Sequence, residues 1–375
     1  MKQQYFVFLN LIYLTAIIHI AVAPCSVTAK QNVDDHTIRI GLMVSKDPGT
    51  DPLSREAIDA ASLAIDEINK GGGLGGRSAE LIVRSSDGDW GSGSIKSVEL
   101  IYDEEVHAIV GSLEGRDAHL VEMAIAKAHV IYLETRAADP TLSEANLPWF
   151  FRIVPSDKQQ AQKLASEIYE NSQISNLMII HSDSYDDQMA ANTFLRHVRD
   201  NHLPVPVITQ FTVRSPDYRQ LIESLKKTAS DAILAFGDTE FLIGLSSEMK
   251  QAGIQMPLFT NLSILHSPQL LPYLWNSGDI RFVCPDGWQS DGAKSFRDNF
   301  YNTFGYKPGA IGAYTYDGIH VIVRAIGRDF AIGDEFTKRM ATTDYNRGVT
   351  GHIRFLETGD INDTTEICRI SGFNR

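Results

Sequence analysis

The chain has 375 residues, of which 43% are hydrophobic, 22% charged and 9% aromatic, a composition that supports a buried core and excludes disordered and fibrous classes. At about 100 to 200 residues per domain, the length predicts two domains. The formal charge of −13 argues against nucleic-acid binding, which rests on Lys and Arg neutralising phosphates. Three cysteines with no Cys-x-x-Cys or His/Cys cluster argue against a disulfide scaffold and a structural zinc, so neither metal nor cofactor is expected.

The amino terminus reads as an address. Lys2 precedes an apolar run from Phe6 to Ala23, broken only by Asn10, Thr15 and His19, and Val27-Thr28-Ala29 follows with small residues at the positions a signal peptidase reads. This order predicts a signal peptide over residues 1–29, cleaved after Ala29, and a periplasmic or otherwise exported protein. An uncleaved anchor is the second reading, because about 18 apolar residues approach the lower limit for a span. A lipoprotein modified at Cys25 is a third, weakened by Pro24. The mature chain keeps Cys284 and Cys368, compatible with a disulfide in an oxidising compartment or with two buried thiols.

From Ile38 onward, short β-branched runs alternate with amphipathic stretches. Thr37 to Val44 predicts a strand, and Ala57, Ile58, Ala61, Ala64, Ile65 and Ile68 recur at helical spacing. Further strands are expected at 80–84, 107–111, 130–133, 177–181, 205–211, 232–237, 258–260 and 281–284, with helices at 94–104, 118–128, 159–170, 190–200, 218–227 and 241–251. Such interleaving predicts parallel sheets covered on both faces. A break is expected at Asn146 to Ser156, a short extended run bounded by Pro148 and Pro155, after which Asp157-Lys158-Gln159-Gln160 opens a new helix.

Familiar catalytic patterns are missing. Gly71 to Gly76 satisfies G-x-G-x-x-G, but the glycines follow a helix and lead into a strand, the reverse of a pyrophosphate cradle, so they read as a helix end and turn. There is no G-x-x-x-x-G-K-[ST], His-Glu-x-x-His or G-x-S-x-G motif. Ser224-Leu225-Lys226-Lys227 matches S-x-x-K without its companions and reads as a solvated helix face. His181, Asp183 and Tyr185 cluster past a strand, a place where polar residues more often hold a ligand than transform it.

Ile38-Arg39-Ile40-Gly41-Leu42, Ala64-Ile65-Asp66-Glu67-Ile68-Asn69, Gly72-Gly73-Leu74-Gly75-Gly76-Arg77, Ala108-Ile109-Val110-Gly111-Ser112, Asp139-Pro140-Thr141-Leu142 and Phe151-Arg152-Ile153-Val154-Pro155-Ser156-Asp157 follow one another in order. With Asp231-Ala232-Ile233-Leu234 and Tyr314 to Gly318 they resemble the leucine/isoleucine/valine-binding protein family, type I periplasmic solute-binding proteins of ABC transporters, over nearly the whole mature chain. The resemblance implies an α/β fold of two doubly wound parallel-sheet lobes joined by a three-strand hinge, lobe 1 from 38–150 plus about 285–345 and lobe 2 from 151–284 plus about 346–375. It implies a non-catalytic monomer that encloses a small polar or carboxylated solute (amino-acid-like, amide or organic acid) and presents it to an ABC permease. A sensing receptor of the same fold and an exported enzyme using His181 and Asp183 are the alternatives.

Family members that bind α-amino acids hold the carboxylate with a Ser and a Thr hydroxyl and the ammonium with an acid. A gapless alignment places Gly115, Ala138 and Leu262 at those positions. A one-residue slip restores a hydroxyl at Thr135 or Ser263 but no acid in the 260–264 loop, so a branched-chain amino acid is disfavoured, a buried lone ammonium costing several kcal/mol. Arg116 and Arg136, with Glu114 and Glu134 in the same loops, either offer an anion site or form surface ion pairs. Tyr185 stands where the family places an aromatic wall. Ser45, Ser112, Asp238, Asn261 and Tyr314 complete the candidates, Tyr314 being either a cleft or a core residue.

Overall fold

The computed structural model describes residues 37–87, 91–362 and 365–373; the expected signal peptide lies outside them. The first part of the chain runs β1 (Thr37–Val44), α1 (Pro52–Lys70), β2 (Ser78–Ser85), α2 (Ser92–Val98), β3 (Ala108–Ser112), α3 (Gly115–Ala128), β4 (Ile131–Glu134), α4 (Thr141–Glu144) and β5 (Phe150–Arg152). These strands form a wholly parallel sheet in the order β2-β1-β3-β4-β5. Next come α5 (Asp157–Ala165), β6 (Leu177–Ser182), α6 (Tyr185–Asp200), β7 (Val207–Phe211), α7 (Tyr218–Thr228), β8 (Ala232–Phe236), α8 (Thr239–Gln251), β9 (Leu258–Thr260) and β10 (Ile280–Pro285). The chain ends with α9 (Asp291–Phe304), α10 (Ala310–Ile326), α11 (Gly333–Ala341), the small β11 (Asp344–Tyr345) and β12 (Ile353–Arg354) pair, and β13 (Thr365–Arg369).

The second sheet has the order β13-β10-β9-β8-β6-β7 and is parallel except for β13, which lies antiparallel on β10. Parallelism elsewhere follows from the helical crossovers, which cover both faces and bury every residue of β3, β4 and β8. On one face of the first sheet, Ala57, Ala60, Ala61 and Ala64 give α1 a small-residue side against which α10 packs closely. Asp51 caps α1 by accepting from the Ser54 N–H at 2.8 Å, and Pro52 fills its first turn. The helix runs out at Gly72 and Gly73, whose φ values of 93° and 68° suit glycine, so the glycine-rich stretch is a turn between helix and strand.

The chain passes between the two sheets three times: after β5, after β10 and after β12. Arg152, fully buried at the end of β5, ties the first and third passages together. Its Nε donates to Asp360 Oδ1 at 2.9 Å and its Nη2 to the same oxygen at 2.5 Å, while Nη1 donates to the Asp139 carbonyl. The Arg152 backbone N–H donates to the Gly359 carbonyl at 2.9 Å, and its carbonyl accepts from Ile361 at 2.8 Å. Ser156 and Gln159 then form a reciprocal cap at the start of α5, and Gln159 Nε2 reaches the Ile361 carbonyl at 2.6 Å.

Cys284 on β10 and Cys368 on β13 form a disulfide with Cα atoms 5.9 Å apart, deciding between the two states open to these cysteines in the sequence. It fastens the antiparallel edge strand to its sheet. Replacing both cysteines by serine should lower unfolding stability in urea by about 2–4 kcal/mol, since the link closes a long loop in the unfolded chain. Asp360→Ala should cost about 3 kcal/mol in the same measurement, because it strands the buried Arg152 charge.

Candidate functional site

A cavity of about 220 Å³ opens where the carboxyl ends of the two sheets face each other. Its wall comes from the loops after β3, β4, β6, β8 and β9 and from the first turn of α5, the places where parallel α/β sheets present loops and helix starts. Glu114, Arg136, Tyr185, Asp238, Asn261 and Ser263 all line it.

The other candidates stand behind or beside the wall. Ser45, 1% exposed, accepts the Glu114 N–H at 2.8 Å, and Ser112 is buried at the end of β3. Glu134 is consumed by the chain itself: one oxygen accepts the N–H groups of Arg136 and Ala137 at 2.8 and 2.9 Å, and the other accepts the Tyr132 hydroxyl at 2.5 Å. It shapes the loop that carries Arg136 and does not reach the cavity. Thr135 Oγ1 is spent on the Gly111 carbonyl at 2.7 Å and on Thr315 at 3.0 Å. Tyr314 is core, 1% exposed inside α10. Arg116 faces outward, its guanidinium 5.4 Å from the centre of the Tyr185 ring. His181 bonds the Ser182 carbonyl through Nδ1, and Asp183 accepts the Val213 N–H, so neither borders the cavity.

The carboxylates of the wall were the least visible in the sequence. Asp139, Asp157, Asp186 and Asp187 join Glu114 and Asp238 around it. Leu262 does occupy the loop where the resemblance called for an acid, and it is buried, but acids arrive instead from the first turns of α5 and α6. The cavity therefore carries carboxylates on elements other than the loop that the resemblance singled out.

Each acid has its own environment. Burial pushes Asp157 well above the ordinary carboxylate range, helped by the neighbouring Asp186. Among the described residues its carboxyl makes no hydrogen bond or ion pair, although the residue is only 5% exposed. Burial raises Asp186 to about 7, against the pull of Arg136 and of the Gly115 N–H, which donates to it at 2.9 Å. Burial also raises Asp187, opposed by the Ser182 and Ser184 hydroxyls. Asp139 behaves oppositely: burial works against its charge, but bonds from His119, Thr141 and Tyr185 outweigh it and hold the carboxyl below its usual range. On the basic side, burial and the nearby Arg136 lower His266 to about 3, leaving it neutral. Arg136 is then the guanidinium of the wall; its side chain is 11% exposed, its Nη2 touches Glu114 at 3.4 Å, and Nε and Nη1 make no hydrogen bond among the described residues.

Bonds cross the cleft. The Tyr185 hydroxyl donates to Asp139 at 2.7 Å, Gly115 N–H to Asp186, and Asp157 N–H to the Ala138 carbonyl at 2.7 Å. Gly115 has to be small there: a Cβ would lie 3.0 Å from Asp186 Oδ1 and 3.0 Å from Tyr185 Cε1.

Residues 37–372 match the model of the family described as periplasmic binding protein. The chain belongs to that family. Glutamate receptor 3.1 of Oryza sativa subsp. japonica is 27% identical over 160 residues, 41% of this chain and 17% of that protein. Leu/Ile/Val-binding protein homolog 3 of Brucella melitensis is 24% identical over 196 residues, 52% of this chain and 53% of that one. The chain therefore spans about half, or less, of the length of these curated relatives. Among solved structures, the branched-chain amino acid transporter substrate binding protein of Streptococcus pneumoniae in complex with isoleucine superposes with a TM-score of 0.73 at 19% identity, covering 89% of this chain and 99% of that one. An ABC transporter solute binding protein of R. palustris in complex with benzoate gives 0.76 at 14% identity, over 90% and 94%. At these identities the likeness is one of fold.

In this periplasmic binding protein His119, which bonds Glu122 and Asp139 on its own side of the cleft, should make stability respond to pH. Bonds to Asp139 and Glu122 raise His119 to about 9 from 6.5. The stability this contributes is complete below the unfolded pKa and lost as pH climbs through the folded one. The melting temperature should fall between pH 7 and 9 in the native protein and fall less in His119→Gln, as read by thermal unfolding across that range.

Proposed function

We propose that the protein is an exported solute-binding protein whose two sheet units act as lobes closing on an amino-acid-like zwitterion, which it then presents to an ABC permease. The observation that carries this reading is a pair of unspent groups on one cavity wall: the Arg136 guanidinium, with Nε and Nη1 unpartnered among the described residues, and the Asp157 carboxyl, 5% exposed and likewise unpartnered. A buried polar group without a partner is costly. A ligand carboxylate would relieve the first through a forked charge-assisted bond, and a ligand ammonium the second. Family membership supports binding and transport, and the three passages between the sheets suit a rigid-body hinge.

The reading removes the ground on which the family alignment disfavours a branched-chain amino acid, since that argument rested on a missing acid. It also has a proton signature. Asp157 lies well above the usual range and Asp186 near 7 in the free protein; an arriving ammonium favours their charged forms, so binding near pH 7 should release protons.

Thermal-shift and calorimetric titration with L-amino acids, their N-acetyl derivatives and their carboxamides tests this. At least one amino acid should raise the melting temperature, both derivatives should lose that effect, and the binding enthalpy should vary with the ionisation enthalpy of the buffer. Arg136→Ala and Asp157→Asn should each weaken binding by more than about 1.5 kcal/mol. Equal binding of an amino acid and its N-acetyl derivative would remove Asp157 from the site.

A further inference from the structure

The cleft continues into a second chamber. It measures about 350 Å³, shares Ser184, Asp187 and Asp238 with the cleft, and adds Glu240 and the rings of Phe211, Tyr218 and Phe241. Phe211 and Phe241 stack with centroids 3.7 Å apart, and Tyr218 continues the stack at 5.8 Å from Phe241. Gly237 at the end of β8 makes room for this stack, since a Cβ there would lie 2.8 Å from Phe241 Cδ1 and 3.1 Å from Phe211 Cζ. The result is an apolar, aromatic wall leading away from the zwitterion site, edged by three carboxylates.

Those carboxylates are not compensated. Among the described residues Asp187, Asp238 and Glu240 form no ion pair. Asp187 accepts only the Ser182 and Ser184 hydroxyls, the latter at 2.9 Å, and Asp238 caps α8 by accepting the Phe241 N–H at 2.7 Å. Asp187 is half-buried while Asp238 and Glu240 are exposed at the rim, and hydroxyl and amide donors leave the charge of a carboxylate in place. In the adjoining cleft, Asp157 is a further carboxyl on a residue only 5% exposed, with no partner among the described residues. If a ligand ammonium meets Asp157 and a ligand carboxylate meets Arg136, the negative charge at the mouth of the chamber is still unmatched.

We propose that the solute is an α-amino acid with a cationic side chain, its methylenes lying along the Phe211–Phe241–Tyr218 wall and its distal amine or guanidinium held by Asp187, Asp238 and Glu240. This rests on the zwitterion reading and specifies it. A distal cation gains charge-assisted bonds and the attraction of aromatic ring density. A neutral side chain of equal length gains only the apolar wall and leaves the carboxylates facing it.

Calorimetry on the full mature chain with L-lysine, L-arginine, L-norleucine and putrescine tests the idea. Lysine or arginine should bind at least about 30-fold more tightly than norleucine, the factor expected from one charge-assisted bond. Asp238→Asn, which keeps a helix-capping side chain, should cut that ratio at least about tenfold. Norleucine binding as tightly as lysine would overturn the charged chamber while leaving the zwitterion site standing. Putrescine binding as tightly as lysine would overturn both, because it lacks the carboxylate for Arg136, and so would a failure of all the amino acids to bind.

Discussion

The ion pair between Arg152 and Asp360 is the constraint on which the cleft depends. A guanidinium with no solvent exposure is stable only when its donors are taken, and here they reach two separate stretches of chain: Asp360 in the third passage, and the segment after β4, through the Asp139 carbonyl and Ser143 Oγ at 3.2 Å. The Asp139 loop is itself a wall of the cavity. One buried charge therefore fixes where the chain leaves the first sheet, where it returns from α11, and where Asp139 can meet His119 and Tyr185. Gly359 completes the junction, its φ of 81° bringing its carbonyl onto the Arg152 N–H.

From that anchor the electrostatics of the cleft divide by depth. Asp139 is saturated with donors and stays charged, a structural anion in the contact between the walls. Asp157 has none, and burial pushes its carboxyl well above the usual range. Asp186 lies between, with the Gly115 N–H as its amide donor and Arg136 acting at longer range. Two acids whose environments push them apart in this way are suited to different tasks: one keeps the walls together, and the other stays available to whatever enters. Arg136 belongs with the available groups, because Glu134 spends its oxygens on the backbone that positions it, and Glu114 gives it a single 3.4 Å contact through an oxygen that also pairs with Lys46 at 3.2 Å.

The strands were legible in the sequence because β-branched runs bounded by polar turns leave little choice; β1 and β9 occupy Thr37–Val44 and Leu258–Thr260 as the sequence predicts. Two helix starts were not. Apolar spacing starts α3 at 118 and α6 at 190, whereas they begin at Gly115 and Tyr185; for α5 the polar run from Asp157 marked the start that spacing alone put at 159. The reason is physical. Periodicity detects the face turned to the core, and the first turn of a helix that opens onto a cleft has no such face; it has a cap such as Ser184 and polar residues turned toward the cavity. Those overlooked turns hold Gly115 and Asp186. The antiparallel β13 was missed for a related reason, since its Thr365–Arg369 stretch is short, edge-lying and largely polar.

The same point limits what a family alignment can carry. Position-by-position transfer asks whether a residue type recurs at one place in one loop, and at Gly115, Ala138 and Leu262 it does not. A ligand, however, meets a field and a set of donors, and these depend on all the elements that converge. At Gly115 the backbone N–H is given to a carboxylate of the protein itself, Asp186, reached from the facing wall. With that donor committed inside the fold, Arg136 is the guanidinium left with unspent donors on the cavity wall, among the acids that surround it. Loss of the three family anchors is therefore better understood as a redistribution of charge within a shared cleft than as loss of the binding site.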